Sequence, residues 1–142
     1  MRTGSKVFID SNFFIYLLNR DEEVKRRRCA DLLLEIEKKS TIVISTQVVK
    51  EVSAVLLRKF NYPVSDLKVL LSQLERFEVV ETPVSTIHHG IDIMQAHGLS
   101  FWDALICAAA HRAQCATIIT EDMNHGQKVL SMQIVSPFNL SA

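Results

Sequence analysis

A chain of 142 residues, 48% of them hydrophobic, has enough apolar mass for one domain with a substantial core and too much for a disordered polypeptide. Its 16 basic and 16 acidic residues cancel, which excludes a protein that coats nucleic acid or a membrane by bulk charge but leaves room for a local basic patch. The longest uninterrupted apolar run, Ala104–Ala110, is far too short to span a bilayer, and Asp10 interrupts the first apolar run with no cleavage pattern after it, so a cytoplasmic protein is expected.

In chain order, Val7-Phe8-Ile9 reads as a short buried strand and Ser11–Asn19 as a helix. Asp21-Glu22-Glu23 is the acidic start of a second helix, in which Cys29, Leu32, Leu33 and Ile36 fall at helical spacing and Lys38-Lys39 closes the end. Thr41–Ile44 is the next strand. Ser45 or Thr46 then caps a helix with Val48, Val52, Val55 and Leu56 on one face. Asn61-Tyr62-Pro63 breaks the chain before a helix carrying Leu67, Leu70, Leu71 and Leu74, and Phe77–Val80 follows as a strand.

Thr82-Pro83 has the pattern of an N-cap followed by proline at the first helical position, and Gly98 sits where a helix-ending glycine belongs. Ser100 opens a further helix running to about Gln114, Thr117–Thr120 is a strand, and Gln133–Val135 is a last short one. Strands alternate with helices and are apolar throughout, so both sheet faces should be covered. This predicts a three-layer α/β/α sandwich with a mostly parallel central sheet, forming one domain over residues 1–142.

Four acidic residues occupy comparable places. Asp10 directly follows the first strand and Asp122 comes two residues after the strand Thr117–Thr120. Ligands gather at the carboxyl ends of strands in open α/β sheets, so these two side chains would converge if their strands are parallel neighbours. Glu51 stands on or beside the apolar stripe of its helix, with Val48 three residues before and Val55 four after. Asp103 is the only charge between Phe101 and Ala110, and Ile106, Cys107 and Ala110 lie on its helical face. A carboxylate in such a setting is costly without a partner.

Each acid also has a local reading. Asp10 caps the helix at Ser11, Glu51 pairs with Lys50 or Arg58, Asp103 joins Ser100 in a loose capping box, and Asp122 lies in a polar turn. Together, however, like charges at close range would force some to protonate, a conflict that a hard divalent cation such as Mg²⁺ or Mn²⁺ resolves.

These segments resemble a known family. Val7-Phe8-Ile9-Asp10-Ser11-Asn12, Val49-Lys50-Glu51-Val52, Ser100-Phe101-Trp102-Asp103-Ala104-Leu105-Ile106 and Thr120-Glu121-Asp122-Met123-Asn124-His125-Gly126 are similar, in order and spacing, to the acidic motifs of PIN-domain nucleases, and within these to VapC-like toxins of toxin–antitoxin pairs. The resemblance implies a Mg²⁺- or Mn²⁺-dependent endoribonuclease, usually a homodimer, held inactive by a small antitoxin. It also implies that Asp10, Glu51, Asp103 and Asp122 form the catalytic metal cluster, with Asn12 and Thr120 as supporting residues. Some relatives carry a further acid two residues after the fourth position, where this chain has Asn124; Glu121, in the strand-end turn, has room to face away.

Other features read more plainly. Cys29, Cys107 and Cys115 show no CxxC spacing and are expected as buried thiols in a reducing compartment. His125 reads as a loop-stabilising turn residue, and His88, His89 and His97 as solvated helix positions. Lys25-Arg26-Arg27-Arg28 reads as a solvated helix start balanced by Asp21, Glu22 and Glu23, rather than a phosphate rail. At least one of Phe13, Phe14 and Tyr16 should be core, and Phe60 and Tyr62 are candidates to meet an antitoxin. Haloacid-dehalogenase-like chemistry wants a second aspartate where Asn12 stands, which counts against it. The alternatives to a toxin are an RNA-processing PIN nuclease and a non-catalytic RNA- or protein-binding module.

Overall fold

In the computed structural model, which describes residues 1–139, the elements run β1 (Lys6–Ile9), α1 (Ser11–Leu18), α2 (Glu23–Lys39), β2 (Thr41–Ser45), α3 (Thr46–Lys59), α4 (Val64–Leu74), β3 (Glu78–Val80), α5 (Val84–His97), α6 (Phe101–Arg112), β4 (Thr117–Ile119), β5 (Lys128–Val129) and β6 (Met132–Val135). The strands form one sheet in the order β3-β2-β1-β4-β6-β5, parallel except for the antiparallel pair β5 and β6. In β1 the consecutive residues Val7, Phe8 and Ile9 are all wholly inaccessible. Because successive strand residues point to opposite faces, the sheet is covered on both sides. The expected α/β/α arrangement with a mostly parallel sheet is what the chain adopts.

Helical packing follows the predicted apolar stripes. Cys29, Leu32 and Ile36 of α2 and Val48, Val52 and Leu56 of α3 are buried, while Val55 is half-buried at the edge of its stripe. Ser45 is the α3 cap, its Oγ accepting from the Val48 N–H at 3.4 Å. α1 packs on α2 and α3, and α5 packs on α6. A Cβ at Gly90 of α5 would lie 2.7 Å from Leu105 Cδ2, so glycine there lets α5 sit close against α6. Gly98 ends α5 in the left-handed region, φ 64°, as its position suggested.

Three local expectations differ from the structure. Thr82 does not cap α5. Pro83 occupies the cap in extended conformation and its carbonyl accepts from the Thr86 and Ile87 N–H groups, leaving the buried Thr82 hydroxyl without a hydrogen-bond partner. α6 stops at Arg112 instead of Gln114, because Gln114 turns left-handed at φ 64° and the Cys115 N–H folds back to the Ala110 carbonyl. The two-residue strand β5, which a left-handed turn at Leu130 joins to β6, is too short to leave a periodic signal. No described helix is long and apolar enough to cross a membrane.

Candidate metal centre

The sheet order itself creates a crevice. From β1 the chain builds outward to β2 and β3 on one side, while β4 and β6 lie on the other, so the carboxyl ends of β1 and β4 border a reversal in strand order. Asp10 leaves β1 there, its N–H donating to the Ile119 carbonyl at 3.0 Å. Thr120 and Asp122 follow directly from β4. The condition that their strands be parallel neighbours is met.

Asp103 arrives from α6. Ser100 Oγ accepts from the Asp103 backbone N–H at 3.1 Å, so the helix cap exists. That bond is made to the backbone N–H, and the Asp103 carboxylate joins the crevice. Asp10, Asp103 and Asp122 each bring an oxygen within 4.8 Å of the others. Asp10 is buried, Asp103 half-buried and Asp122 exposed. Among the described residues no lysine or arginine forms an ion pair with any of them.

Glu51 lies beside this trio and is not within its mutual reach. It is half-buried on α3, and its Oε1 accepts from Gln47 Nε2 at 3.3 Å. Burial raises its carboxyl above the usual range, and the charges of Asp10, Asp122 and Asp103 add to that.

Asp10 is the most perturbed of the acids. Burial pushes its carboxyl up to about 6, against hydrogen bonds from Thr120 and Ser11 that lower it; Asp122 and Asp103 add repulsion. Asp103 is likewise raised, first by burial and then by Asp122, with Ser100 opposing. The cluster therefore carries electrostatic stress that its hydrogen-bond donors offset only in part.

Asn12 and Thr120 hold the acids in place. Thr120 Oγ1 donates to Asp10 Oδ2 at 2.8 Å and accepts from the Asp122 N–H at 3.1 Å. Asn12 Nδ2 donates to Thr120 Oγ1 at 3.1 Å and to Asp122 Oδ2 at 3.0 Å. The second Asp10 oxygen accepts from the Ser11 N–H at 2.7 Å. Thr120→Val keeps the shape but removes the hydroxyl, leaving the Asp122 N–H and an Asp10 oxygen unpaired. A loss of about 1–2 kcal/mol is expected in the urea unfolding of the metal-free chain.

One feature of the rim had no sequence signal. Tyr16 donates to Glu121 Oε2 at 2.6 Å, Lys25 approaches the same carboxylate at 3.7 Å, and the Lys25 ammonium lies over the Tyr16 ring at 4.8 Å and the Phe138 ring at 5.2 Å. Glu121 thus faces away from the three aspartates. These residues come from three distant points of the chain, so no spacing rule pairs them.

The remaining candidates fall outside the cluster. His125 Nδ1 accepts from the Ser136 N–H at 3.0 Å, which ties the turn to the chain after β6. His89 packs edge-on against His111 with ring centres 5.2 Å apart, so it is not a purely solvated position. In the basic run, Arg26 and Arg27 pair with Glu23, Lys25 with Glu121, and Arg28 donates to the Pro137 carbonyl. Phe13 and Phe14 are core.

Uncompensated carboxylates gathered at a crevice, with hard oxygen donors and open space beside exposed Asp122, fit a divalent cation of the Mg²⁺ or Mn²⁺ type. A PIN domain family model matches residues 7–128, from β1 to the first residue of β5. The chain belongs to the PIN domain family. Within this PIN domain the matched span contains Asp10, Glu51, Asp103 and Asp122, and so the whole crevice.

Solved structures share the PIN architecture. A toxin–antitoxin complex from Klebsiella pneumoniae matches with a TM-score of 0.71 at 19% identity, covering 94% of this chain and 99% of that one. VapBC2 from Rickettsia felis, bound to a DNA fragment from its promoter, matches at 0.67 and 18%, covering 92% and 98%. VapC20 from Mycobacterium tuberculosis, a Sarcin-Ricin loop cleaving toxin, matches at 0.63 and 17%, covering 79% and 86%. At these identities the likeness is one of fold. Comparison with curated proteins finds no significant match.

Proposed function

We propose that this PIN domain is a divalent-metal-dependent endoribonuclease that hydrolyses RNA phosphodiester bonds, and that it is the toxin of a toxin–antitoxin module. The observation that carries the reading is the convergence of Asp10, Asp103 and Asp122, with no lysine or arginine among the described residues in an ion pair with them. In this reading those three hold Mg²⁺ or Mn²⁺, and Glu51, beside them on α3, completes the set. When bound, the ion supplies positive charge to a phosphate oxygen and acidifies a water for attack on phosphorus.

The chain's own residues then have distinct tasks. Ser11 N–H and the Thr120 hydroxyl orient the two Asp10 oxygens, so the buried carboxylate presents a fixed edge to the crevice. Asn12 Nδ2 holds Asp122 at the exposed side, where a phosphodiester enters. Glu51 or Asp122 orients the attacking water; Glu51 is steadied for this by Gln47.

The partner part of the reading has separate support. An apolar groove of about 160 Å³ lies between α1, α2 and α4, lined by Phe14, Leu17, Leu18, Leu33, Leu74 and Phe77. It suits an apolar segment of a small antitoxin, and the K. pneumoniae, R. felis and Salmonella typhimurium neighbours are themselves toxin–antitoxin complexes. A homodimer and a cytoplasmic location go with this reading. Free, buried Cys29, Cys107 and Cys115, whose thiols burial pushes up to about 12, suit a reducing compartment.

The test is cleavage of structured RNAs, a Sarcin-Ricin loop stem among them, in Mg²⁺, in Mn²⁺ and in chelator. Cuts at defined positions that need the metal are expected. Equal cutting in chelator would remove the metal mechanism, and no cutting under any condition would favour a non-catalytic binding module.

A further inference from the structure

The rim of the crevice carries two exposed aromatic side chains that the fold does not require. Phe101 and Trp102 open α6 directly before Asp103, and they are 37% and 61% exposed. Apart from Phe60, the other exposed large hydrophobic residues of the described chain are aliphatic or Met1. Leaving an indole in water forgoes the burial that stabilises aromatic residues elsewhere in the core.

The start of α6 that carries the pair is anchored to α3. The two rings meet edge to face at 5.1 Å. Gln47 Nε2 donates to the Trp102 carbonyl and to Glu51 Oε1, each at 3.3 Å, which ties the start of α6 to the acid on α3. Trp102 and Asp103 are consecutive, with Cα atoms about 3.8 Å apart. Trp102 thus immediately precedes, in the chain, one of the three clustered carboxylates.

Charge adds a second argument. The chain has no net charge, and Lys25, Arg26 and Arg27 of its one basic run pair with Glu121 and Glu23. The paired run offers little free charge for a phosphate rail, which gives weight to contacts of another kind in binding a nucleic acid. Aromatic faces supply such contacts to unpaired bases, which stack on them with little regard to sequence.

We infer that Trp102, backed by Phe101, is the stacking platform for an unpaired RNA base next to the phosphate held at the metal centre. The platform selects single-stranded or looped RNA over duplex, and purines, with their larger faces, over pyrimidines. This rests on the nuclease reading and adds to it a residue that sets substrate choice.

Trp102 is the only tryptophan, so intrinsic fluorescence reports on it alone. The Asp10→Asn chain in Mg²⁺ is titrated with unpaired 12-mer RNAs, with binding followed independently by anisotropy of labelled RNA. Saturable quenching is expected, larger for oligo(A) than for oligo(U). In wild-type background, Trp102→Ala should raise KM for single-stranded RNA by about 5- to 100-fold, with the loss in KM and not kcat, and Trp102→Phe should recover most of it. RNA binding without a fluorescence change, or an unchanged KM in Trp102→Ala, overturns the inference and leaves the nuclease reading standing. Fluorescence that changes on protein dilution and not on RNA addition assigns the face to a second copy and also overturns it. No RNA binding by any form of the chain overturns both.

Discussion

Asp10→Asn is expected to lower the proposed metal-dependent RNA cleavage by at least about 100-fold, beyond the 10- to 100-fold typical of losing a residue that only supports a metal ligand. Three features single out this residue. It is the buried member of the acidic trio, both its oxygens have fixed donors, and it sits where β1 and β4 part. An asparagine fills the same volume, so the effect is one of charge and not of packing. The amide also turns a donor toward Thr120 Oγ1, which already accepts from the Asp122 N–H and from Asn12. The measurement is single-turnover cleavage of wild type and variant in Mn²⁺, with circular dichroism to show that the variant is folded. Cleavage within a few-fold of wild type would remove Asp10 from the metal set.

The second large effect is on stability, and its sign is unusual for a carboxylate. Asp10 has its carboxyl raised to about 6 in the folded chain, against an ordinary value of 3.8. A raised value means that folding favours the protonated form. The associated stability is fully present below the unfolded value and is lost as pH rises through about 6. The metal-free chain should therefore gain about 2 kcal/mol from this group as pH falls from 7 to 4. Asp103 and Glu51 are shifted in the same direction. Glu23, held low by Arg26, acts in the opposite sense as the solution becomes acidic. The gain should therefore show best between pH 7 and pH 5. With saturating Mn²⁺ the slope reverses, because the cation binds the ionised carboxylates. Urea midpoints at pH 5, 6 and 7, with chelator and with Mn²⁺, test both slopes. A metal-free midpoint that falls steadily from pH 7 to pH 5 would show that Asp10 is not under the stress described.

Much of this architecture can be read in the chain because parallel strands buried on both faces leave unbroken apolar runs. Val7-Phe8-Ile9 and Ile42-Val43-Ile44 are such runs, and both are strands of the sheet centre. The same logic fails at the edge, where Lys128-Val129 pairs antiparallel over two residues and carries no pattern. Thr82-Pro83 misleads by one position, since a threonine before a proline fits a cap wherever the helix begins, and only the accepting carbonyl of Pro83 fixes the start.

The crevice shows the same division. Helical spacing marks Asp103 as a charge on an apolar face, and strand ends mark Asp10 and Asp122. The convergence itself depends on β1 lying beside β4, more than a hundred residues later, which spacing cannot supply. Periodicity put Glu51 on or beside its stripe, and its place next to the trio instead of within it is a tertiary outcome that spacing does not carry. The Tyr16, Lys25 and Glu121 cluster was invisible for the same reason, being tertiary in origin.

The position of β4, inserted between β1 and β6 although it is made after α6, governs when the molecule first becomes complete. While a ribosome is still adding residues before 117, the first strand has a vacant flank and Asp10 has neither Thr120 nor Asp122 beside it. A fragment released at that stage lacks Asp122 and the Thr120 hydroxyl and cannot assemble the acidic trio. On the nuclease reading, only copies synthesised past that point carry the chemistry.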